Sequence, residues 1–92
     1  MRLMDGVLIV PNGQDHVLVT AGEAQAVFAG MIVLNDSAAR IAQAMQTDTT
    51  EDALVALLLD TFDITRETAQ SAVGRVVKQL SDLGLLIREE NT

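Results

Sequence analysis

Apolar residues in the first third of the chain form short runs that predict strands. The runs at 7–10 and 16–20 are rich in β-branched residues, and Pro11 and Gly13 stand between them. Turn-forming residues between two such runs favour a β-hairpin, with Pro11 expected to end the first strand. The apolar run at 31–34 predicts a third strand.

Three segments show no clear period. Residues 21–29 are bracketed by Gly22 and Gly30, so we interpret them as a loop or a short irregular connection. Residues 85–87 are expected to leave the last helix as an apolar tail. The polar end at 88–92 is expected to fray.

In the rest of the chain, the apolar residues recur with the period of an α-helix. Apolar residues recur three and four positions apart in the segments 36–45, 50–61 and 66–83, which we predict to be helices. The predicted N-caps are Asn35 or Asp36, then Thr49 or Thr50, and then Thr65, while Gly84 is predicted to end the third helix.

Together these elements predict an α+β fold, with an N-terminal three-stranded antiparallel sheet followed by a three-helix bundle. The chain has 92 residues, of which 49% are hydrophobic, and we expect one domain over 1–92. A chain of this size has a modest core and little room for a deep, water-excluding reaction cavity. A free-standing enzyme is therefore disfavoured.

Charge and residue usage narrow the classes of partner. Thirteen acidic residues against six basic ones give a net charge of −7, which argues against binding nucleic acid or an anionic membrane. Apolar runs are too short to span a bilayer, and the first residues lack the features of a signal peptide. There is no cysteine. We therefore expect a soluble protein of the reducing cytoplasm.

Residues able to carry catalysis or bind metal are scarce. His16 is the only histidine, and Tyr, Trp and Cys are missing altogether. The serines have no base near them in sequence, and the carboxylates lack the spacing of a zinc or calcium site. We interpret His16 as the start of a surface strand. The sequence predicts no catalytic residue, no metal site and no cofactor.

Gly74 lies in the middle of the third predicted helix, where glycine costs about 1 kcal/mol relative to alanine. Either another group approaches the helix backbone closely at this point, or Gly74 is a mildly unfavourable surface residue. The sequence leaves both interpretations open.

A serine at a helix start suggests one alternative function. Asp36-Ser37 in a small acidic protein is similar to the phosphopantetheine attachment site of acyl carrier proteins. Those carriers are all-helical, whereas strand-like runs precede Ser37 in this chain. Ser37 is also a common residue type for a first helical turn.

Four short segments, at 5–10, 30–41, 48–52 and 83–86, resemble segments of the PqqD family. GMIVLNDSAARI at 30–41 resembles the family's strand that ends in Leu-Asn and leads into a helix. DGVLIV at 5–10 is similar to the opening strand, DTTED at 48–52 to the start of the second helix, and LGLL at 83–86 to the end of the final helix. One position departs, because Ala42 stands where members commonly have a large aromatic residue.

The resemblance implies a winged-helix-like fold that serves as a peptide recognition element. Such domains bind the leader segment of a ribosomally made precursor peptide and deliver it to a modifying enzyme, often a radical S-adenosylmethionine protein. The original family member acts in the synthesis of pyrroloquinoline quinone. The resemblance implies no chemistry by the domain itself.

The third strand and the third helix form the predicted binding site. An exposed strand edge can accept an extended peptide as a fourth strand, which places the site at Met31, Ile32, Val33 and Leu34. The helix face toward the peptide is expected to be Ala72, Arg75 and Gln79, with Gln70, Gly74 and Ser81 as the alternative face.

Three further expectations concern partners. A winged-helix DNA-binding regulator is the second hypothesis, but the third helix has only three basic residues against two acidic ones. Exposed strand edges and the apolar tail at 85–87 favour a homodimer, with a monomer as the alternative. The acidic body predicts that a bound peptide segment is neutral or basic.

Overall fold

Residues 1–88 of this protein are described by a computed structural model. The predicted fraying at 89–92 lies outside the described residues. Within residues 1–88 the elements follow in this order: β1 (Arg2–Leu3), β2 (Val7–Asn12), β3 (Asp15–Thr20), α1 (Glu23–Val27), β4 (Met31–Leu34), α2 (Asp36–Ala44), α3 (Glu51–Thr61), α4 (Arg66–Asp82) and β5 (Leu86–Ile87).

The predicted three-stranded antiparallel sheet is confirmed, with the strand order β2-β3-β4. Asn12 pairs with Asp15, which leaves a two-residue turn that begins at Gly13 with φ 68°. A positive φ at the first turn residue is what a type II′ hairpin turn requires. The prediction that Pro11 ends the first strand is wrong. Pro11 pairs with His16, and proline fits there because β2 is an edge strand.

The two faces of this sheet differ in what covers them. Ile9, Leu18 and Ile32 form one row on the inner face, and Leu18 is fully buried under the helices. His16, expected on a surface strand, lies half-buried on this inner face opposite Leu34. Away from the polar Asn12–Asp15 pair at the turn, the outer sheet face is apolar and consists of Leu8, Val10, Val17, Val19, Met31 and Val33.

The three predicted helices are confirmed, and each begins with a side-chain cap. The side-chain oxygens of Asn35, Thr50 and Thr65 accept hydrogen bonds at 2.9 to 3.1 Å from backbone N–H groups three residues later. These caps satisfy donors that the first turn of a helix leaves unpaired. The caps therefore fix where α2, α3 and α4 begin.

The predicted apolar tail is in fact part of the core. Gly84 has φ 79° and closes α4, with the N–H of Gly84 donating to Ser81 and that of Leu85 donating to Leu80. This Schellman pattern turns the chain back toward the core. Leu85 is fully buried, and β5 pairs with β1.

The segment at 21–29 also differs from its prediction. It contains the one-turn helix α1, which ends at Phe28 where the backbone becomes extended. Ala24 of this helix is fully buried, so packing against the core stabilises the helical turn. The flanking glycines made this turn hard to predict from the sequence. The structure therefore has a short helix between β3 and β4.

One hydrophobic cluster joins the sheet to the three longer helices. Within residues 1–88 no helix is long and apolar enough to cross a lipid bilayer. That residues 1–92 form a single domain remains a prediction, because residues 89–92 lie outside the described part of the chain. The largest fully buried side chains of the cluster are Leu18, Ile41, Met45, Leu54, Leu58, Leu85 and Val73.

Candidate functional site

A groove runs between the edge strand β4 and the helix α4. Its larger cavity has a volume of about 520 Å³ and an apolar wall contributed by Phe28, Ile32 and Leu83. Polar side chains from α4 form the opposite rim. The lining residues of the large cavity are Phe28, Ile32, Arg75, Lys78, Gln79, Asp82 and Leu83.

The aromatic wall is positioned by local contacts. Phe28 follows the last turn of α1, and its carbonyl accepts a hydrogen bond of 2.6 Å from the Thr20 hydroxyl at the end of β3. Its ring lies over Gly30, where an added Cβ would come within 2.9 Å of the ring tip. Gly30 therefore leaves room for the ring at the end of the groove.

A smaller cavity of about 210 Å³ continues the groove along β4 toward the start of α2. Leu34 and Ala72 contribute apolar surface, while Asn35 and Ser37 contribute polar groups. Arg75 lines both cavities, as does Gln79. The complete lining of the small cavity is Val33, Leu34, Asn35, Ser37, Ala38, Ala72, Arg75, Val76 and Gln79.

The charges along the groove are distributed unevenly. Lys78 donates to the Asp82 carboxylate at 2.9 Å, one helical turn away. Among residues 1–88, no carboxylate lies within 4 Å of the Arg75 guanidinium, which is exposed. Arg75 is therefore a cation available to a bound group where the two cavities meet.

β4 offers a backbone edge beside this groove. Within the described part of the chain, β3 is its only neighbouring strand. In an antiparallel sheet, alternate residues of an edge strand direct N–H and C=O groups away from their neighbour. Met31 and Val33 are 64% and 65% exposed, Ile32 is half-buried and Leu34 is buried.

The structure groups most of the predicted site residues in one place. Ile32, Arg75 and Gln79 line the large cavity, and Val33, Leu34 and Ala72 line the small one. Met31 lines neither cavity, although it belongs to the same strand. The alternative helix face, Gln70, Gly74 and Ser81, also lines neither cavity.

Sequence reasoning missed eight residues that line the groove, namely Phe28, Asn35, Ser37, Ala38, Val76, Lys78, Asp82 and Leu83. Phe28 was hidden in the segment interpreted as irregular, and Lys78 was counted only as a helix charge. Val76 and Leu83 belong to the apolar stripe of the third helix, so their contact with the groove gave no separate signal. A large aromatic residue two positions before Gly30 was the signal that could have marked Phe28.

Outside the groove, the described residues contain no group of three or more acidic or histidine side chains that could hold a metal ion. The hydroxyl of Ser37 donates to the Asn35 side chain at 3.1 Å, so it supports the cap of α2. Strands precede Ser37 in this fold, whereas acyl carrier proteins are all-helical. The fold therefore does not support the acyl-carrier alternative.

Most of the chain matches the model of a known protein family. The model of the family described as coenzyme PQQ synthesis protein D (PqqD) matches residues 7–86, which is most of the chain. The chain belongs to the PqqD family. The match begins at β2 and ends in β5, so it includes all of the groove.

Two solved structures share the fold of this PqqD family member. TbiB1 in complex with the TbiA(beta) leader peptide has a TM-score of 0.74 at 15% identity and covers 99% of this chain and 100% of its own. Lasso peptide synthetase B1 complexed with the leader peptide has a TM-score of 0.70 at 21% identity and covers 95% and 96%. No curated protein matches this chain.

Proposed function

We propose that this protein is a non-catalytic chaperone for a ribosomally made precursor peptide. The leader segment of the peptide adds to β4 as a fourth strand, and the protein presents it to a modifying enzyme of the radical S-adenosylmethionine type. We also propose that the protein acts in the cytoplasm. The observation that carries it is the open edge of β4 beside an apolar groove.

Backbone hydrogen bonds and burial of apolar side chains would both stabilise a peptide strand added to β4. Each backbone hydrogen bond that forms is worth about 1 kcal/mol net, and alternate peptide side chains would enter the groove. The apolar wall of Phe28, Ile32 and Leu83 supplies further free energy by removing such side chains from water. Main-chain pairing thus gives affinity, and the cavities give specificity.

The opposite edge of the sheet is a poorer site for a peptide. Pro11 in β2 has no backbone N–H, so one ladder hydrogen bond is missing there. Neither cavity of the groove is lined by a residue of β2. We therefore assign the peptide to β4.

Family and fold support the same assignment. The chain belongs to the PqqD family, and the two similar structures are themselves complexes with leader peptides. A DNA-binding role receives less support, because Asp82 pairs with Lys78 on α4 and the whole chain has a net charge of −7.

Calorimetric titration with the precursor peptide encoded beside this gene tests the proposal. We expect the leader segment to bind and a scrambled leader not to bind. Ile32→Ala should weaken binding about tenfold by removing apolar surface from the groove. The matched control is Ile9→Ala, because Ile9 is a half-buried isoleucine in the same row on the opposite edge strand.

Absence of binding by any neighbouring small peptide, with the neighbouring modifying enzyme present, would contradict the proposal. Equal losses of affinity in Ile9→Ala and Ile32→Ala would contradict the placement on β4. The homodimer stays a prediction that light scattering tests. Leu85 is buried and β5 already pairs with β1, which leaves less of the segment at 85–87 available for self-association.

A further inference from the structure

The two cavities of the groove are joined by Arg75 and Gln79. These residues lie four positions apart on α4, so their side chains are neighbours on one face of the helix. Both line the large cavity and the small one. A group bound in either cavity therefore meets the same guanidinium and the same amide.

The strand β4 sets the spacing between the peptide side chains that can enter the two cavities. Ile32 lines the large cavity and Leu34 the small one, and residues two apart on a strand point to the same face. Peptide residues placed opposite them are also two apart, at a separation of about 7 Å. The two cavities therefore take side chains of positions i and i+2 of an extended peptide.

The cavities differ in the side chains that suit them. The large one has the apolar wall of Phe28, Ile32 and Leu83, which suits a large apolar side chain. Polar groups of Asn35 and Ser37 line the small one, where Arg75 has no carboxylate partner among the described residues.

We propose that the groove recognises a large apolar residue and an Asp or Glu residue at a spacing of two in the bound peptide. The apolar residue occupies the large cavity. The carboxylate lies at the small cavity and accepts hydrogen bonds from Arg75, with Gln79 as a second donor. This inference rests on the proposed function and defines the peptide class that the site selects.

The proposal is compatible with the charge of the whole protein. A net charge of −7 repels a peptide that carries many acidic residues. A single carboxylate facing Arg75 gains a short-range, charge-assisted contact, and the flanking residues remain neutral or basic. The motif is thus one acidic residue in an otherwise non-acidic segment.

Selection of random 12-residue peptides by mRNA display against the full chain tests this motif. Peptides selected by the wild-type protein should be enriched in apolar and acidic residues at a spacing of two. Their order along the peptide reports the direction in which it runs along β4. Arg75→Gln should abolish the acidic preference and retain the apolar one.

Arg66→Gln is the matched control, because Arg66 is exposed, lies on the same helix and lines neither cavity. It makes the same change in net charge and should leave the acidic preference intact. In a selected peptide, replacing the acidic residue by its amide should weaken binding to wild type about tenfold and leave binding to Arg75→Gln unchanged.

Two results would contradict the proposed peptide motif and leave the proposed function intact. One is selection of apolar peptides with no acidic preference, and the other is equal acidic preference in wild type and Arg75→Gln. Failure to select any peptide would instead count against the proposed function itself. Circular dichroism of each variant verifies that it is folded.

Discussion

The ring of Phe28 forms the aromatic wall of the groove because Gly30 leaves room beneath it. We predict that Gly30→Ala displaces this ring, since the new Cβ would lie 2.9 Å from the ring tip. Because the ring is the far end of a flexible side chain, the free energy of unfolding should change by less than about 1 kcal/mol. The affinity for a leader peptide should fall severalfold in calorimetric titration, and an unchanged affinity would remove Phe28 from the binding site.

Gly74 lies in α4 and faces open space, with nothing within 4 Å of an added Cβ. Of the two interpretations that the sequence allowed, the structure supports the unfavourable surface residue. We predict that Gly74→Ala stabilises the protein by about 0.5 to 1 kcal/mol in thermal or urea unfolding, because alanine favours helix. Peptide affinity should not change, since Gly74 lines neither cavity. Destabilisation would show that the helix backbone has a close neighbour after all.

At the scale of elements, local patterns were enough to predict the longer helices and the three-stranded sheet. The apolar stripe and capping threonine of α4 act within a few residues, so they can be recognised in the sequence. The pairing of β1 with β5 joins the two ends of the described chain and leaves no local period in either two-residue strand. Short α1 depends on the burial of Ala24, which is likewise a tertiary effect.

The groove was predictable to a similar extent. Ile32 and Arg75 could be placed from strand alternation and helix period, because these rules say which face a residue occupies. Phe28 could not, because its place depends on how α1 joins β3 to β4. Leu83 continues the apolar stripe of α4, and only the packed structure reveals that it also reaches the groove.

The β1–β5 pair gives a prediction at this scale. Leu85 is fully buried where the chain leaves α4, and the N–H of Met4 donates to its carbonyl at 2.9 Å. Leu85→Ala should lower the free energy of unfolding by about 2 to 5 kcal/mol, because it leaves a cavity in the core. Urea unfolding measures this. As a comparison, Leu8→Ala removes an exposed leucine and should cost less than about 1 kcal/mol.

For the molecule as a whole, charge should act on the rate of encounter rather than on the bound state. The net charge of −7 attracts basic segments and repels acidic ones, and salt screens this field. We predict that raising the salt concentration slows association with the leader peptide in stopped-flow experiments. Dissociation depends on strand pairing and apolar contacts, so its rate should change little. An association rate independent of ionic strength would contradict this prediction.

The central claim is that a peptide becomes the fourth strand of the sheet at β4. The most direct measurement is backbone amide NMR of the labelled protein with the leader peptide encoded beside its gene. The account predicts that shift changes concentrate at Met31–Leu34 and that new protection from hydrogen exchange appears at alternate amides of this strand, with side-chain changes at Phe28 and Leu83. Tight binding that leaves β4 unprotected, or that protects the edge of β2 instead, would contradict the claim.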